Sequence, residues 1–556
     1  MLNWAKNSLE LVEGTRPRRV NQPAPVIDDT EGLLRKFHPD HSGRKRMVMI
    51  GANAGRDFFP VELADMLEAD SLLADSFKPG SDIETDVLII GGGGAGTAAA
   101  LELEGSGLNV HLACKLRLGD SNTVMAEGGI QAALADSDSP QRHFSDAFVG
   151  GHGKNIPELL RPLCESGPDT IQWLTGKGCL FDRAKNGRHI LHAGGGTSTP
   201  RVLACRDYTG LEIMRVLKDA LGQGRTKILE KHSAVELLDD GQGNVSGAVL
   251  LNSESKTLRT VLARAVLLAT GGSGQLRLQG FPTSNHFGAT GDGLVLAYRQ
   301  GCFLINPDSH QYHPSGACFP EALVGQLLTE GIRSMGAQIL NAQGQRFVDE
   351  MTYRDVIASA IIQECVEGRG VDTPSGRKGV WLDTPLIDSL KGEGTVRSQF
   401  PGLVHRFSRY DIWPDKKPIL IYPTLHYQNG GVRIDSQGKT DKGGLWAAGE
   451  VSGGVHGTNR LMGNSLLDII VFGRRAAMCI RDNLPERTRA GLFSLNRFRE
   501  ERKNLPNLSA KESPQLFPKE SQIKIKLDVQ GGEKGFGANF SPITSLELPD
   551  PLGENS

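Results

Sequence analysis

The sequence predicts an α/β protein in which a buried parallel sheet runs into glycine-rich turns, with a second region of mixed character inserted into it. Two stretches carry that prediction. Asp86-Val-Leu-Ile-Ile90 is a short, continuous apolar run that ends in Gly91-Gly-Gly-Gly-Ala-Gly96 and passes into an alanine-rich helix, as a strand buried on both faces does. Arg264-Ala-Val-Leu-Leu-Ala-Thr-Gly-Gly272 repeats the strand-into-glycine pattern, so two distant stretches are expected to converge on one ligand.

Composition narrows the class. The chain has 556 residues, 38% hydrophobic and 23% charged, with room for two or three domains and a large core. Lys and Arg total 62 against 64 Asp and Glu, so the net charge of -2 gives no electrostatic case for nucleic acid or an anionic membrane surface. The eight cysteines form no CxxC and no clustered spacing that would hold zinc or an iron–sulfur cluster, so no metal site is expected. The amino terminus lacks a cationic-then-apolar leader, and no apolar run reaches the ~20 residues of a membrane helix. These features predict a cytoplasmic protein with reduced thiols, peripheral to a membrane only through a partner.

Texture divides the chain. Residues 1–80 are polar and proline-bearing, with one amphipathic helix expected near Pro60–Leu73, and read as an extension before the core fold. Arg44-Lys45-Arg46 within it reads as a solvated face. Residues 81–306 and 423–480 carry the strand and glycine signals, 307–422 is an inserted mixed region, and 481–556 is a polar tail. Its alternating SQIKIKLDVQ suggests an edge strand.

Chemistry enters at Gly91–Gly96. A glycine turn between a strand and a helix presents backbone N–H groups and a helix amino terminus to a pyrophosphate. The acidic residue that a plain NAD site places roughly 20 residues on is missing, because the second strand, NVHLACK, ends at Cys114-Lys115. Further along, Asn464-Ser465 precedes the apolar run LLDIIVF and reads as a helix N-cap.

Several ordered blocks resemble one family: SNTVMAEGGIQAAL (Ser121–Leu134), HFGATGDG (His286–Gly293), QYHPSG (Gln311–Gly316), LLTEGIR (Leu327–Arg333), YRDVIASAI (Tyr353–Ile361), LHYQNGG (Leu425–Gly431) and the long block Gly444–Ala476. The chain is similar, over roughly Ile83 to Ala477, to the flavoprotein subunit of fumarate reductase and succinate dehydrogenase, a family that includes L-aspartate oxidase. The resemblance implies a glutathione-reductase-like FAD-binding domain with an inserted α+β capping domain. It also implies FAD contacts at Gly91, Gly93, Ala95, Gly96, Lys115, Ser121, Asn122, Thr123, Glu127, Gly128, Gly129, Thr270, Gly271, Asp292, Gly449, Glu450, Asn464, Ser465 and Leu466. Of these, Ser121, Thr123 and Glu127–Gly129 would border the isoalloxazine and Glu450 the ribose. Asp292 reads equally as a cap for the helix that follows it.

By the same resemblance His313, Thr329, Glu330, His426 and Arg460 bind the carboxylates of a small dicarboxylate. Guanidinium groups suit that task because they stay charged and pair bidentately. Hydride moves between flavin N5 and one alkene carbon, Arg354 gives a proton to the other, and Glu330 and Arg333 pass protons to Arg354. Two departures matter. Asn122 stands where many members carry the histidine that bonds FAD covalently, so FAD is expected to be non-covalent and fumarate reduction favoured. The long helical domain after the core is also missing, which leaves open how an iron–sulfur or other electron-transfer partner docks; the amino-terminal extension is one candidate surface. Asn429, where the family commonly has Met or Cys, is expected near the substrate. L-aspartate oxidation and a non-catalytic electron-relay role are the alternatives.

Overall fold

The structure is a computed structural model and describes residues 2–41, 43–71, 73, 77–485 and 498. The polar tail from residue 486, apart from 498, and with it the suggested edge strand, lies outside the described residues. The centre of the fold is a seven-stranded mixed sheet. Ile83–Ile90 lies between Val110–Ala113 and Leu258–Leu268, parallel to both, and Lys227–Leu229 extends the sheet beyond Val110–Ala113. Leu258–Leu268 also pairs in parallel with Leu445–Ala447 and in antiparallel with Val245–Asn252, which pairs with His232–Asp239.

Register decides where this sheet can bind anything. Ile90 stands opposite both Ala113 and Leu268, and Leu268 stands opposite Ala447, so four parallel strands end level. Their carboxyl ends open on one crevice, the position where open α/β sheets take ligands. Gly91 leaves its strand at φ 118°, and a Cβ there would sit 2.1 Å from the carbonyl oxygen of Ala269. The two strand exits approach this closely because Gly91 has no side chain. The alanine-rich helix after it is Gly94–Leu103, whose small residues let the helix Asn464–Asp482 lie against it.

A second, five-stranded antiparallel sheet contains His310–Ala317, Ile419–Gln428, Lys378–Asp383, Gln338–Leu340 and Val371–Asp372. The helix Arg354–Val366 packs on it, burying Ile357 and Ile361 with Val380, Leu382 and Ile421. His313 pairs with Thr424, and a register shift at His426, between the pairs Tyr312–Leu425 and Gln311–Tyr427, brings the two histidine rings together.

The amino-terminal segment is built into this second unit. The helix Lys6–Arg19 places Arg16 and Arg19 on the fully buried carboxylate of Asp383, at 2.7 and 2.9 Å, and Ser8 accepts from the indole of buried Trp381 at 2.9 Å. The helix Thr30–Phe37 lies on Arg354–Val366. In Arg44-Lys45-Arg46 the first two residues are exposed, as a solvated face requires; Lys45 pairs with Asp308 at 2.8 Å, and the half-buried Arg46 pairs with Asp65 and the buried Glu68. The helix expected near Pro60–Leu73 is shorter, Val61–Leu67, because Glu68 turns inward to Arg46 and to the backbone N–H groups of Met49 and Ile50.

Candidate active site

The crevice at the strand ends is lined by Gly91, Gly93, Ala95, Lys115, Ser121, Asn122, Thr123, Thr270, Gly271, Asp292, Gly449 and Glu450. These residues fit FAD on two observations. The helix Gly94–Leu103 starts at the crevice wall with Gly93 as its N-cap and no side-chain cap, so its positive end faces the space an anion would fill. Across it, Lys115 pairs with Asp292 at 2.7 Å and also donates to Thr290. Asp292 is thus the first residue of the helix Asp292–Arg299, whose N-cap is Gly291, and its carboxylate faces the crevice instead of capping.

Other predicted cofactor residues stand off this wall. Gly96 serves packing: a Cβ there would lie 1.9 Å from the carbonyl oxygen of Gly91. The N-cap expected at Asn464-Ser465 is corrected to Gly463, at φ 86°, where a left-handed residue without a side chain starts the helix. Asn464 instead meets His143 Nε2 at 2.8 Å, next to Leu466 in the same buried turn, and Ser465 Oγ accepts from Arg460 Nη1 at 3.0 Å. Gly128 lies against Met462 and Thr329, while Gly129 lies against Val202 and Leu203. Glu127 pairs with Arg406 at 2.6 Å, and burial pushes its carboxyl up to about 7 against the pull of that arginine. Asn122 donates to Asn285 at 2.7 Å and to Glu450 at 3.2 Å, and burial raises the Glu450 carboxyl.

Beyond the crevice, arginines gather on one carboxylate. Glu330 Oε2 accepts from Arg354 Nε at 2.9 Å and Arg333 Nη2 at 3.0 Å, and Oε1 accepts from the N–H of Gly195 at 2.7 Å. Burial alone would raise this carboxyl, but the charges of Arg354 and Arg333 outweigh it and hold Glu330 at about 2. Arg460 closes the other side, its guanidinium 4.5 Å over the ring of Tyr427. Burial and the charge of Arg354 push Arg460 down to about 9, so it stays protonated at neutral pH.

His313 and His426 face each other with ring centroids 5.2 Å apart. Burial, reinforced by Arg354 and Arg460, holds both well below the ordinary imidazole range, so both are neutral. His313 Nδ1 accepts from the N–H of Ser315 at 3.2 Å, which leaves Nε2–H as a donor. His426 Nδ1 meets Ser284 Oγ at 2.8 Å. Thr329, buried beside Glu330, completes the ring.

Residue-by-residue reading missed Gln311 and Arg406. Gln311 Oε1 accepts from Arg354 Nη1 at 2.8 Å and from Arg460 Nη2 at 2.9 Å. Strand alternation carried the signal, since Gln311 precedes His313 by two residues and shares its face. Nothing local marks Arg406. Asn429, expected near the substrate, is turned away: it accepts from the N–H of Arg460 at 3.2 Å and donates to Thr458 O at 2.8 Å, so it holds the loop that carries Arg460.

The chain is similar to known proteins over most of its length. Residues 86–466 match the family described as the FAD binding domain. The chain is 38% identical over 433 residues to a component of the fumarate reductase (CoM/CoB) of Methanothermobacter marburgensis, covering 75% of this chain and 76% of that protein. It is 35% identical over 412 residues to the L-aspartate oxidase of Streptomyces coelicolor, covering 72% and 69%. Its structure matches a variant of E. coli quinol fumarate reductase FrdA with a TM-score of 0.68 and 29% identity, over 76% of this chain and 74% of that one.

Proposed function

Because the chain belongs to the flavoprotein family of fumarate reductase, succinate dehydrogenase and L-aspartate oxidase, and is an FAD-dependent oxidoreductase of that family, we propose that it reduces fumarate, or a close four-carbon dicarboxylate, with Arg354 as proton donor. One observation carries this reading. Arg333 and Arg354 both donate to Glu330, and Arg354 and Arg460 share the amide oxygen of Gln311, so the cluster brings three guanidinium groups together with one carboxylate hydrogen-bonded among them. A dicarboxylate brings negative charge to guanidinium groups that lack a carboxylate partner of their own, in a site where burial makes each pairing count.

Bound FAD, held by the crevice residues from Gly91 to Glu450 without a covalent bond at Asn122, supplies the hydride chemistry. The chain's own groups do the rest. Arg460 and His426 clamp one carboxylate, and His313 Nε2–H and Thr329 hold the other, which fixes the alkene beside Arg354. Arg354 gives its proton to the alkene carbon and is recharged through Glu330, which Arg333 also touches. An arginine is a weak acid, with an ordinary pKa above about 12; the strongly basic carbon centre formed on hydride addition makes it competent.

L-aspartate oxidation is the competing reading, supported by the Streptomyces coelicolor relative. Against it, an α-ammonium needs an acceptor, and Glu330, the carboxylate of this cluster, already accepts from Arg354, Arg333 and Gly195. Electrons come from a partner in this reading; among the described residues no group of His, Cys, Asp or Glu is arranged to hold a metal, and no helix is long and apolar enough to cross a membrane.

The test is anaerobic. Protein loaded with FAD is reduced with dithionite, fumarate is added, and flavin absorbance is followed. Rapid reoxidation with stoichiometric succinate supports the proposal, and its loss in Arg354→Ala with FAD retained supports the acid role. Peroxide formed on adding L-aspartate in air, with no response to fumarate, transfers the function to the oxidase.

A further inference from the structure

We infer that His152, at the protein surface, is a positioning residue for Arg354 and Arg460, acting through Asp355, Asn459 and Gln311. The inference rests on the dicarboxylate reading above and extends it to residues outside the arginine cluster.

The chain of contacts starts at the amide of Gln311. Its one oxygen holds both Arg354 and Arg460, two like charges that would otherwise push apart. The amide keeps that orientation because Nε2 donates to Asn459 Oδ1 at 3.0 Å and to Arg460 O at 2.6 Å; a flipped amide would aim its N–H groups at two cations. Asn459 is fixed in turn by donating to Asp355 Oδ1 and to Gly150 O, both at 3.1 Å. The second oxygen of Asp355 accepts from His152 Nε2 at 2.6 Å. Asp355 also follows Arg354 directly in the first turn of its helix, so a displaced Asp355 disturbs Arg354 through the backbone as well.

His152 has an unusual setting. It lies between two glycines at φ 58°, in the left-handed region that His, Asn and Asp enter more often than other non-glycine residues, and its side chain is 38% exposed. What singles it out is the contact: an exposed imidazole that reaches a carboxylate only 6% exposed. Amide groups do not ionise at ordinary pH, so no proton passes along Asn459 and Gln311, and the network orients without conducting. The other charged groups on this side come from the amino-terminal segment. His38 faces both Asp355 and His152, is held neutral at about 4 by burial, and is flanked by His41, Lys45 and Asp40. Tyr353 also sees Asp355. The hydrogen bond and charge of Asp355, working against burial, raise the imidazole pKa of His152, which favours the protonated imidazole and a charge-assisted contact.

The experiment uses FAD-loaded full-length protein. Fumarate reduction by the wild type and His152→Gln is measured from pH 6 to pH 9 with reduced viologen. The wild type is expected to lose kcat on the alkaline side as His152 loses its proton. His152→Gln should have kcat about tenfold lower at neutral pH, a KM that changes less, and no such inflection. In parallel, the arginine Nε–H resonances of Arg354 and Arg460 are followed by NMR during the wild-type titration; they should shift with the imidazole of His152 and stay still in His152→Gln. Superimposable pH profiles, or arginine resonances indifferent to His152, overturn the inference. Absence of fumarate turnover in the wild type, with the resonances still coupled, defeats the dicarboxylate reading and leaves the positioning network standing.

Discussion

Arg354 Nε donates to Glu330 Oε2 at 2.9 Å inside a site from which water is largely excluded, and both side chains are more than nine-tenths buried. In the proposed mechanism this contact is the route by which Arg354 regains a proton. Glu330→Gln removes the charge and keeps the shape. Turnover of fumarate is expected to fall by about 10²–10⁴-fold, the usual scale for losing a proton-transfer partner, while FAD content is unchanged. Single-turnover reoxidation of the dithionite-reduced protein measures it, and a variant that keeps a large share of wild-type rate excludes Glu330 from the relay.

Five histidines, three of them buried and two half-buried, set an acid limit on stability. Burial holds His38, His143 and His310 at about 4, and His313 and His426 well below the ordinary value. The sign follows from lowered folded-state values: stability is complete above the unfolded imidazole pKa of about 6.5 and is lost as pH falls below it, because only the unfolded chain takes up the protons. Tm should therefore drop between pH 7 and pH 5, and His143→Gln should flatten the slope. A Tm that is level over this range rules the effect out.

Asp40 acts in the opposite direction. Burial raises its carboxyl to about 8 although it accepts from the N–H of His310 at 3.1 Å. A raised carboxyl contributes stability that is whole at low pH and is lost as pH rises through 8. Asp40→Asn keeps an acceptor oxygen without an ionisable proton, so it should raise Tm at pH 9 and change it little at pH 5. Equal shifts at both values would show that ionisation of Asp40 is not the cause.

The amino-terminal segment is expected to be structural. Asp383 is fully buried under Arg16 and Arg19, and breaking such a pair from one side costs about 3–5 kcal/mol. Asp383→Ala should lower thermal stability and expose the helix Lys6–Arg19 to protease. Removal of residues 1–80 should be more damaging, since it strands Asp383 and uncovers the helix that carries Arg354. A truncated protein with unchanged Tm would return this segment to the status of an extension.

The glycine turn was legible in the sequence because close backbone approach demands particular residue types at fixed local spacing, and the ordered blocks from Ser121 to Ala476 were legible through their resemblance to one family. Strand texture also announced the crevice: apolar runs ending in glycine at Gly91 and Gly271 belong to strands buried on both faces. Helix boundaries were less legible. The last helix begins at Asn464 as expected, but its N-cap is Gly463, where Gln131 and Gly129 from another part of the chain leave no room for a side chain.

The sequence by itself determined the fold class, the family and the cast of ionisable side chains. Only the tertiary structure decided their pairings: Gln311 between Arg354 and Arg460, Arg406 on Glu127, Arg16 and Arg19 on Asp383, His152 on Asp355. The physical reason is the range of the forces involved. Backbone geometry and hydrophobic periodicity act over a few neighbouring residues and leave a local trace, whereas a buried charge takes its partner from whichever segment sheet register and helix packing bring to it.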